Sequence, residues 1–275
     1  MSKGKFILVN GSFVSSGDYR ITLEEAEALH VSEQFRVMRS NFPFFDETLE
    51  IIKLKLFLLN QPFPEFIDED GADLKRQMER TLTKNKHFLG AILTLTFRFL
   101  NGETIFEIQS ESTPSATYDL NEKGLYAEIF DKIQKPVSSL STLSLGSLAY
   151  WQIAQEYCTD STADEFIIVN TEDSILEIPY GNLYLINGDS IWGASPDKGA
   201  YVDVTKSRLL NIFDKLNLNF SEDEPITFEA IKNAEEIFCV NAIQGIRWII
   251  GISGKRYFNN TTRKINELFA KYDVS

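Results

Sequence analysis

The residues able to do chemistry crowd into the middle of the chain. Ser138, Ser139, Ser141 and Ser144 share one polar stretch, Glu177 closes an apolar run, Asn182 follows it, and Thr205 comes after Asp203-Val204. A serine becomes a nucleophile only when a base takes its proton. From Pro136 to Asp197 there is no lysine, arginine or histidine. That stretch therefore supplies no amine nucleophile and no cationic clamp for a phosphate. It offers hydroxyls, a carboxylate and backbone amides, and an enzyme of another class built on the serine loop lacks a visible base.

The rest of the chain adds little catalytic equipment. His30 and His87 have no metal-ligand spacing and no nucleophile motif beside them, so both read as structural or exposed. There is no Gly-rich dinucleotide fingerprint and no phosphate-binding P-loop. Cys158 and Cys239 fit no metal spacing. Asp164-Glu165 and Glu172-Asp173 read as solvated turn residues, and Glu235-Glu236 as the end of a helix. Trp151, Tyr180 and Trp192 are candidates for lining a cleft, or for simple core.

Charge and composition exclude several classes. A net charge of −13 repels phosphate backbones and anionic lipid, so no nucleic-acid or membrane partner is expected. No segment reaches the roughly 18 apolar residues of a membrane span. The start, Met1-Ser2-Lys3-Gly4-Lys5, lacks the apolar core of a signal peptide. With two distant cysteines, the expected compartment is the reducing cytoplasm.

The elements that must position these residues follow from periodicity. Asn10-Gly11 turns a hairpin between Phe6–Val9 and Ser12–Val14. Thr22, with Glu25 three residues on, opens a short helix to Leu29, and 34–39 reads as a strand. A helix runs from Asp46, as cap, to Asn60, with Leu49, Ile52, Leu56 and Leu59 on one face. A second runs from Asp73 to Thr83. Leu93, Leu95, Phe97 and Phe99 alternate with polar residues, and Asn101-Gly102 returns the chain. Ser110–Leu120 has no period and reads as a linker. Beyond it, strands are expected at 125–130, 166–169, 174–177, 182–186, 190–192, 237–240 and 248–252. Helices are expected at 147–157, 205–216, 227–233 and 262–272. The domain boundaries implied are 1–113, a linker at 114–121, and 122–275. Hairpins outnumber βαβ units, so the class is α+β.

Three segments carry a family resemblance. They are Ser174-Ile-Leu-Glu177-Ile-Pro-Tyr-Gly181-Asn182-Leu183-Tyr184, then Ser195-Pro196 with Val202-Asp203-Val204-Thr205-Lys206, then Ala234-Glu235-Glu236-Ile237-Phe238 running into Asn241-Ala242-Ile243-Gln244-Gly245-Ile246. In this order they resemble the C-terminal half of the class IV pyridoxal-phosphate enzymes. That family includes branched-chain and D-amino-acid aminotransferases and aminodeoxychorismate lyase. The resemblance implies a two-domain α+β fold of D-amino-acid aminotransferase type, a homodimer, and a small-molecule site in the interdomain cleft. It also implies pyridoxal phosphate (PLP) as cofactor, with Glu177 against the ring nitrogen and Asn182, Val204, Thr205 and Ala242 at cofactor-binding positions.

The same comparison exposes departures from the family pattern. Ser141 stands where the family has its Schiff-base lysine, and a hydroxyl forms no imine. The nearest upstream amine, Lys135, falls several residues early. Ile51 replaces the phosphate arginine, Ala242 a threonine, and Asp203 the glycine of Gly-Ile-Thr. Arg36 and Lys206 are the remaining cations that could compensate. The expectation is a degenerate family member with no catalytic residue and no covalently bound PLP, acting in small-molecule binding, regulation or assembly. The alternative is an active PLP enzyme, an aminotransferase or an aminodeoxychorismate-lyase-like enzyme, with a displaced lysine or external-aldimine chemistry.

Overall fold

The computed structural model describes residues 2–64, 67 and 70–271. The chain divides into two compact units, with the break between Thr117 and Tyr118. Tyr272, where the last helix was expected to end, lies outside the described residues.

The first unit contains β1 (Phe6–Val9), β2 (Ser12–Ser15), α1 (Leu23–Glu27), β3 (Leu29–Met38), α2 (Phe45–Leu58), α3 (Ala72–Asn85), β4 (Gly90–Leu100) and β5 (Glu103–Ser112). Its strands form one antiparallel sheet in the order β2-β1-β5-β4-β3. Alternation on the sheet turns Val31 and Phe35 of β3, and Leu93, Leu95 and Phe97 of β4, toward one core. Leu49, Ile52 and Leu56 of α2 and Leu74, Met78 and Leu82 of α3 complete it. Buried Lys55 of α2 reaches Glu33 of β3.

Several local expectations need correction here. The Thr22 capping box forms, but α1 stops at Glu27 and Leu29 already belongs to β3. Asp46 is not the cap of α2. Phe44 is, in a left-handed conformation and with no side-chain bond. Asp46 instead sits in the first turn, where a carboxylate opposes the positive end of the helix dipole. Ser110–Ser112, read as linker, continue β5.

The second unit contains β6 (Leu125–Lys135), α4 (Ser144–Thr159), β7 (Glu165–Asn170), β8 (Ile175–Ile178), β9 (Gly181–Asn187), β10 (Ser190–Gly193), α5 (Lys206–Lys215), β11 (Asn219–Ser221), α6 (Phe228–Asn233), β12 (Glu236–Asn241), β13 (Gly245–Ile252), β14 (Lys255–Arg256) and α7 (Asn260–Ala270). The strand order is β11-β10-β9-β12-β13-β6-β7-β8, with β14 on β13. Because β8 also pairs with β9, the strands β9-β12-β13-β6-β7-β8 close on themselves. Leu183, Leu185, Ile237, Cys239, Ile167, Val169 and Ile249 share one core cluster. The alternate residues Phe166 and Ile168 pack against α4 through Trp151 and Ala154. Tyr184 and Phe238 stack 5.1 Å apart, and Tyr184 meets Phe213 of α5 edge-on.

Two pairs of acids depart from their expected places. Glu165 is no solvated turn residue: it lies in β7 and pairs with Arg247 of β13 at 2.8 Å. Glu236 does not end a helix, since α6 stops at Asn233 and Glu236 opens β12. Its buried carboxylate accepts bonds from the amides of Thr261 and Thr262 at 2.8 and 2.9 Å, and from the Thr262 hydroxyl at 2.8 Å. It thereby satisfies the first turn of α7 from outside the helix. Glu236→Ala is expected to cost roughly 2 kcal/mol in denaturant unfolding, with Glu236→Gln recovering part of the loss.

Among the described residues, no helix is long and apolar enough to cross a membrane.

Candidate site around Glu177

β6 extends to Lys135, well past the Phe130 at which its sequence pattern fades. Its register with β7 shifts between Phe130 and Lys135, then resumes with Lys135 opposite Asn170. This irregularity delivers the Lys135 side chain to β8. There its ammonium lies 2.6 Å from Glu177 Oε1, with both side chains fully buried. The Trp151 indole Nε1–H donates to the same oxygen at 2.7 Å. The Tyr201 amide donates to Oε2 at 2.5 Å. Burial pushes Glu177 up and Lys135 down, and each charge opposes the other's shift.

Trp151 fills the space beside this pair. It is fully buried, with ring centroids 4.7 Å from Tyr180 and 4.9 Å from Tyr201. Its ring also stands 6.0 Å from the Lys135 ammonium. Trp192, grouped with these aromatics on sequence, instead packs half-buried against the core cluster of the closed strands.

Ser141 sits in a 3₁₀ turn, Ser139–Thr142, just before α4. It is buried, and its Oγ donates to the Pro136 carbonyl at 2.6 Å. The Ser138 hydroxyl lies 2.9 Å from it, and the Ser147 hydroxyl donates to the Ser141 carbonyl at 2.8 Å. The turn packs so closely on α4 that a Cβ on Gly146 would fall 2.3 Å from the Leu140 carbonyl oxygen, so only glycine fits. The serine cluster is thus a hydrogen-bonded lock that fixes the entrance to α4.

Asn182, in register with Glu177, clamps the loop before α5. Its Nδ2 donates to the Tyr201 carbonyl at 2.5 Å, and its Oδ1 accepts from the Asp203 amide at 3.2 Å. Asp203 is buried. Its Oδ1 accepts from the Thr205 amide at 2.9 Å, and the Ala242 amide, in the turn between β12 and β13, favours its charged form. The Thr205 hydroxyl faces the same group but lacks hydrogen-bond geometry and has no other partner. Thr205 stands at the head of α5 without making a side-chain cap bond. Val204 is half-buried between them. Burial pushes the Asp203 carboxyl up to about 6 against the pull of these donors.

The two compensating cations are engaged elsewhere. Lys206 pairs with Glu222 at 2.5 Å, and Arg36 Nη2 donates to the Ser115 carbonyl at 2.5 Å. Ile51, on α2 in the first unit, offers neither charge nor donor. No group of three or more His, Cys, Asp or Glu side chains able to hold a metal occurs among the described residues.

The sequence picked out Glu177, Asn182, Thr205 and Ala242, and these lie around two buried carboxylates. It missed Lys135 as a partner of Glu177. The available signal was a lone lysine ending a strand just before Pro136.

The family model for class IV amino-transferases matches residues 31–252. No curated protein sequence matches the chain. Among solved structures, the branched-chain amino acid aminotransferase from Escherichia coli aligns with a TM-score of 0.83 and 15% identity, over 97% of this chain and 93% of that one. An aminotransferase from Brucella abortus bound to PLP aligns with a TM-score of 0.81 and 14% identity, over 96% and 97%. A putative 4-amino-4-deoxychorismate lyase from Legionella pneumophila aligns with a TM-score of 0.77 and 18% identity, over 92% and 96%.

Proposed function

The chain belongs to the class IV aminotransferase family, and from that premise we propose that it is a member without Schiff-base catalysis, a homodimer that acts as a small-molecule-binding, regulatory or assembly protein. One observation carries the reading. Glu177, the group the family turns toward the cofactor's ring nitrogen, is already occupied by the Lys135 ammonium, the Trp151 indole and the Tyr201 amide.

The residues present do not fit PLP. Ser141 cannot form an imine, and its hydroxyl is spent on a backbone carbonyl. A ring nitrogen would have to displace Lys135, leaving a buried ammonium without its carboxylate. At the phosphate end, a dianion would meet the Asp203 carboxylate instead of free donors. Like charges at that spacing in a buried site repel strongly. No step through the cofactor follows from this arrangement.

The second reading, an active PLP enzyme, has one observation in its favour: Lys135 is an amine inside the site, and its burial favours the neutral, nucleophilic form. Against it, one amine cannot both neutralise Glu177 and hold an aldehyde. A single experiment separates the two. The purified chain, incubated with PLP, is expected to show no visible imine band, and after borohydride treatment and digestion no pyridoxyl adduct on Lys135. A protein that turns yellow with PLP, bleaches on reduction and then carries a pyridoxyl group on Lys135 would overturn the proposal.

A further inference from the structure

A recess of about 10 Å³, the room of one water-sized group, lies between β9, β10, β11 and the first residue of α5. A glycine makes it. Gly193 stands opposite Tyr184 in the β9–β10 register, and a Cβ there would fall 3.1 Å from both the Tyr184 and the Phe220 rings. The missing side chain leaves the gap between them. The Tyr184 ring is buried among Phe213, Phe220 and Phe238. Its hydroxyl has no hydrogen-bond partner among the described residues and opens onto the recess. Burial first, then the charges of Asp203 and Glu222, push this phenol up, so it keeps its proton and stays a donor. A buried donor without a partner is a group that an occupant of the recess has to satisfy. At the mouth, Lys206 and Glu222 pair at 2.5 Å, both partly exposed.

We propose that this recess binds a small neutral polyol, with one hydroxyl on Tyr184 and a vicinal pair across Lys206 and Glu222. Three features select that chemistry. A donor and an acceptor side by side at the mouth match a vicinal diol: one hydroxyl donates to the carboxylate, and the other accepts from the ammonium. Net charge on the ligand gains nothing, because Glu222 and the nearby Asp203 oppose an anion and Lys206 opposes a cation. Phe220 gives a C–H-bearing chain an apolar wall, and the narrow inner end admits a hydroxyl tip but no ring. The inference uses neither Ser141 nor Lys135, so it stands or falls apart from the loss of Schiff-base chemistry.

Glycerol is the probe, followed by saturation-transfer NMR on the full chain. Its signal is expected to saturate with a Kd of about 1–10 mM, ordinary for so small a ligand. Propan-1-ol, with the same carbon chain and no diol, should give no saturable signal. Neither acetate nor methylammonium should displace glycerol. Tyr184→Phe keeps the ring, removes the hydroxyl and should weaken glycerol about tenfold. Gly193→Ala puts a methyl group into the recess and should weaken it at least as much. Lys206→Met, on the partly exposed rim, should also cost about tenfold, and it decides the matter if the two inner variants do not fold. Four results overturn the proposal: a glycerol signal that rises without saturating, equal binding of propan-1-ol, displacement by either ion, or folded variants that all bind as tightly as the wild type. A yellow protein would sink the earlier reading, whereas a silent glycerol titration removes only this one.

Discussion

Lys135→Met is expected to cost about 3–5 kcal/mol in denaturant unfolding, a large part of a typical domain's net stability. Lys135 and Glu177 are both fully buried and 2.6 Å apart. Removing the ammonium leaves a carboxylate in a dry site, with only the Trp151 indole and the Tyr201 amide to hold it. Two further outcomes separate an ion pair from mere packing. The double variant Lys135→Met, Glu177→Gln should regain much of the loss, because no charge is left buried and the amide oxygen still accepts from one of the two remaining donors. The deficit of the single variant should also shrink as pH falls. Burial already pushes Glu177 up, and Lys135 is the first group opposing that rise. A group raised in the fold contributes most when protonated, and it loses that contribution as pH climbs through its folded value. A loss of under about 1 kcal/mol, or one independent of pH, would show that the pair is incidental.

That pair marks where sequence reasoning stopped. The end of β6 was placed at Phe130 because alternation fails in the next residues, Asp131-Lys132-Ile133-Gln134. The structure gives the reason. The register with β7 breaks between Phe130 and Lys135, and an irregularity of that kind scrambles the period of two on which strand recognition rests. The pairing resumes for one decisive residue, Lys135 opposite Asn170, which no pattern spanning that gap would weight. Glu236 was misread for a related reason: two adjacent acids after a helix look like its solvated end. The contacts that bury Glu236, to Thr261 and Thr262, lie 25 and 26 residues away. By contrast, the core face of α2 and the Asn101-Gly102 turn are legible, because each is set by neighbours in sequence. Glu177 and Asn182 were legible as positions, through motif order, while what they touch was not. Asp203 was recognised as a negative charge in the wrong place for a phosphate. Only the coordinates show that it takes the donors for itself.

Asp203→Asn is expected to stabilise the protein in a strongly pH-dependent way. The carboxyl moves from its ordinary 3.8 to about 6, first because it is buried and against the pull of Thr205 and the Ala242 amide. Below 3.8 the folded and unfolded chains both keep the proton. Between 3.8 and about 6 the fold keeps a proton that the unfolded chain has released, so stability falls as pH rises through that window. Above it the full cost of a buried anion stands, on the order of 3 kcal/mol. Asparagine presents a similar oxygen to the Thr205 amide and does not titrate. Its advantage over the wild type should therefore grow by about 2–3 kcal/mol between pH 4 and pH 7.5, read from paired denaturation midpoints. Tyr184 and Tyr201, whose hydroxyls the Asp203 charge helps push up, stay neutral throughout this range and do not blur the comparison. A difference that stays flat with pH would mean that the carboxylate is solvated or fully compensated. If the slope appears, Asp203 is a residue the fold retains at a cost in stability. Burying a charge where an amide would serve better is the physical mark of a group held for something other than folding.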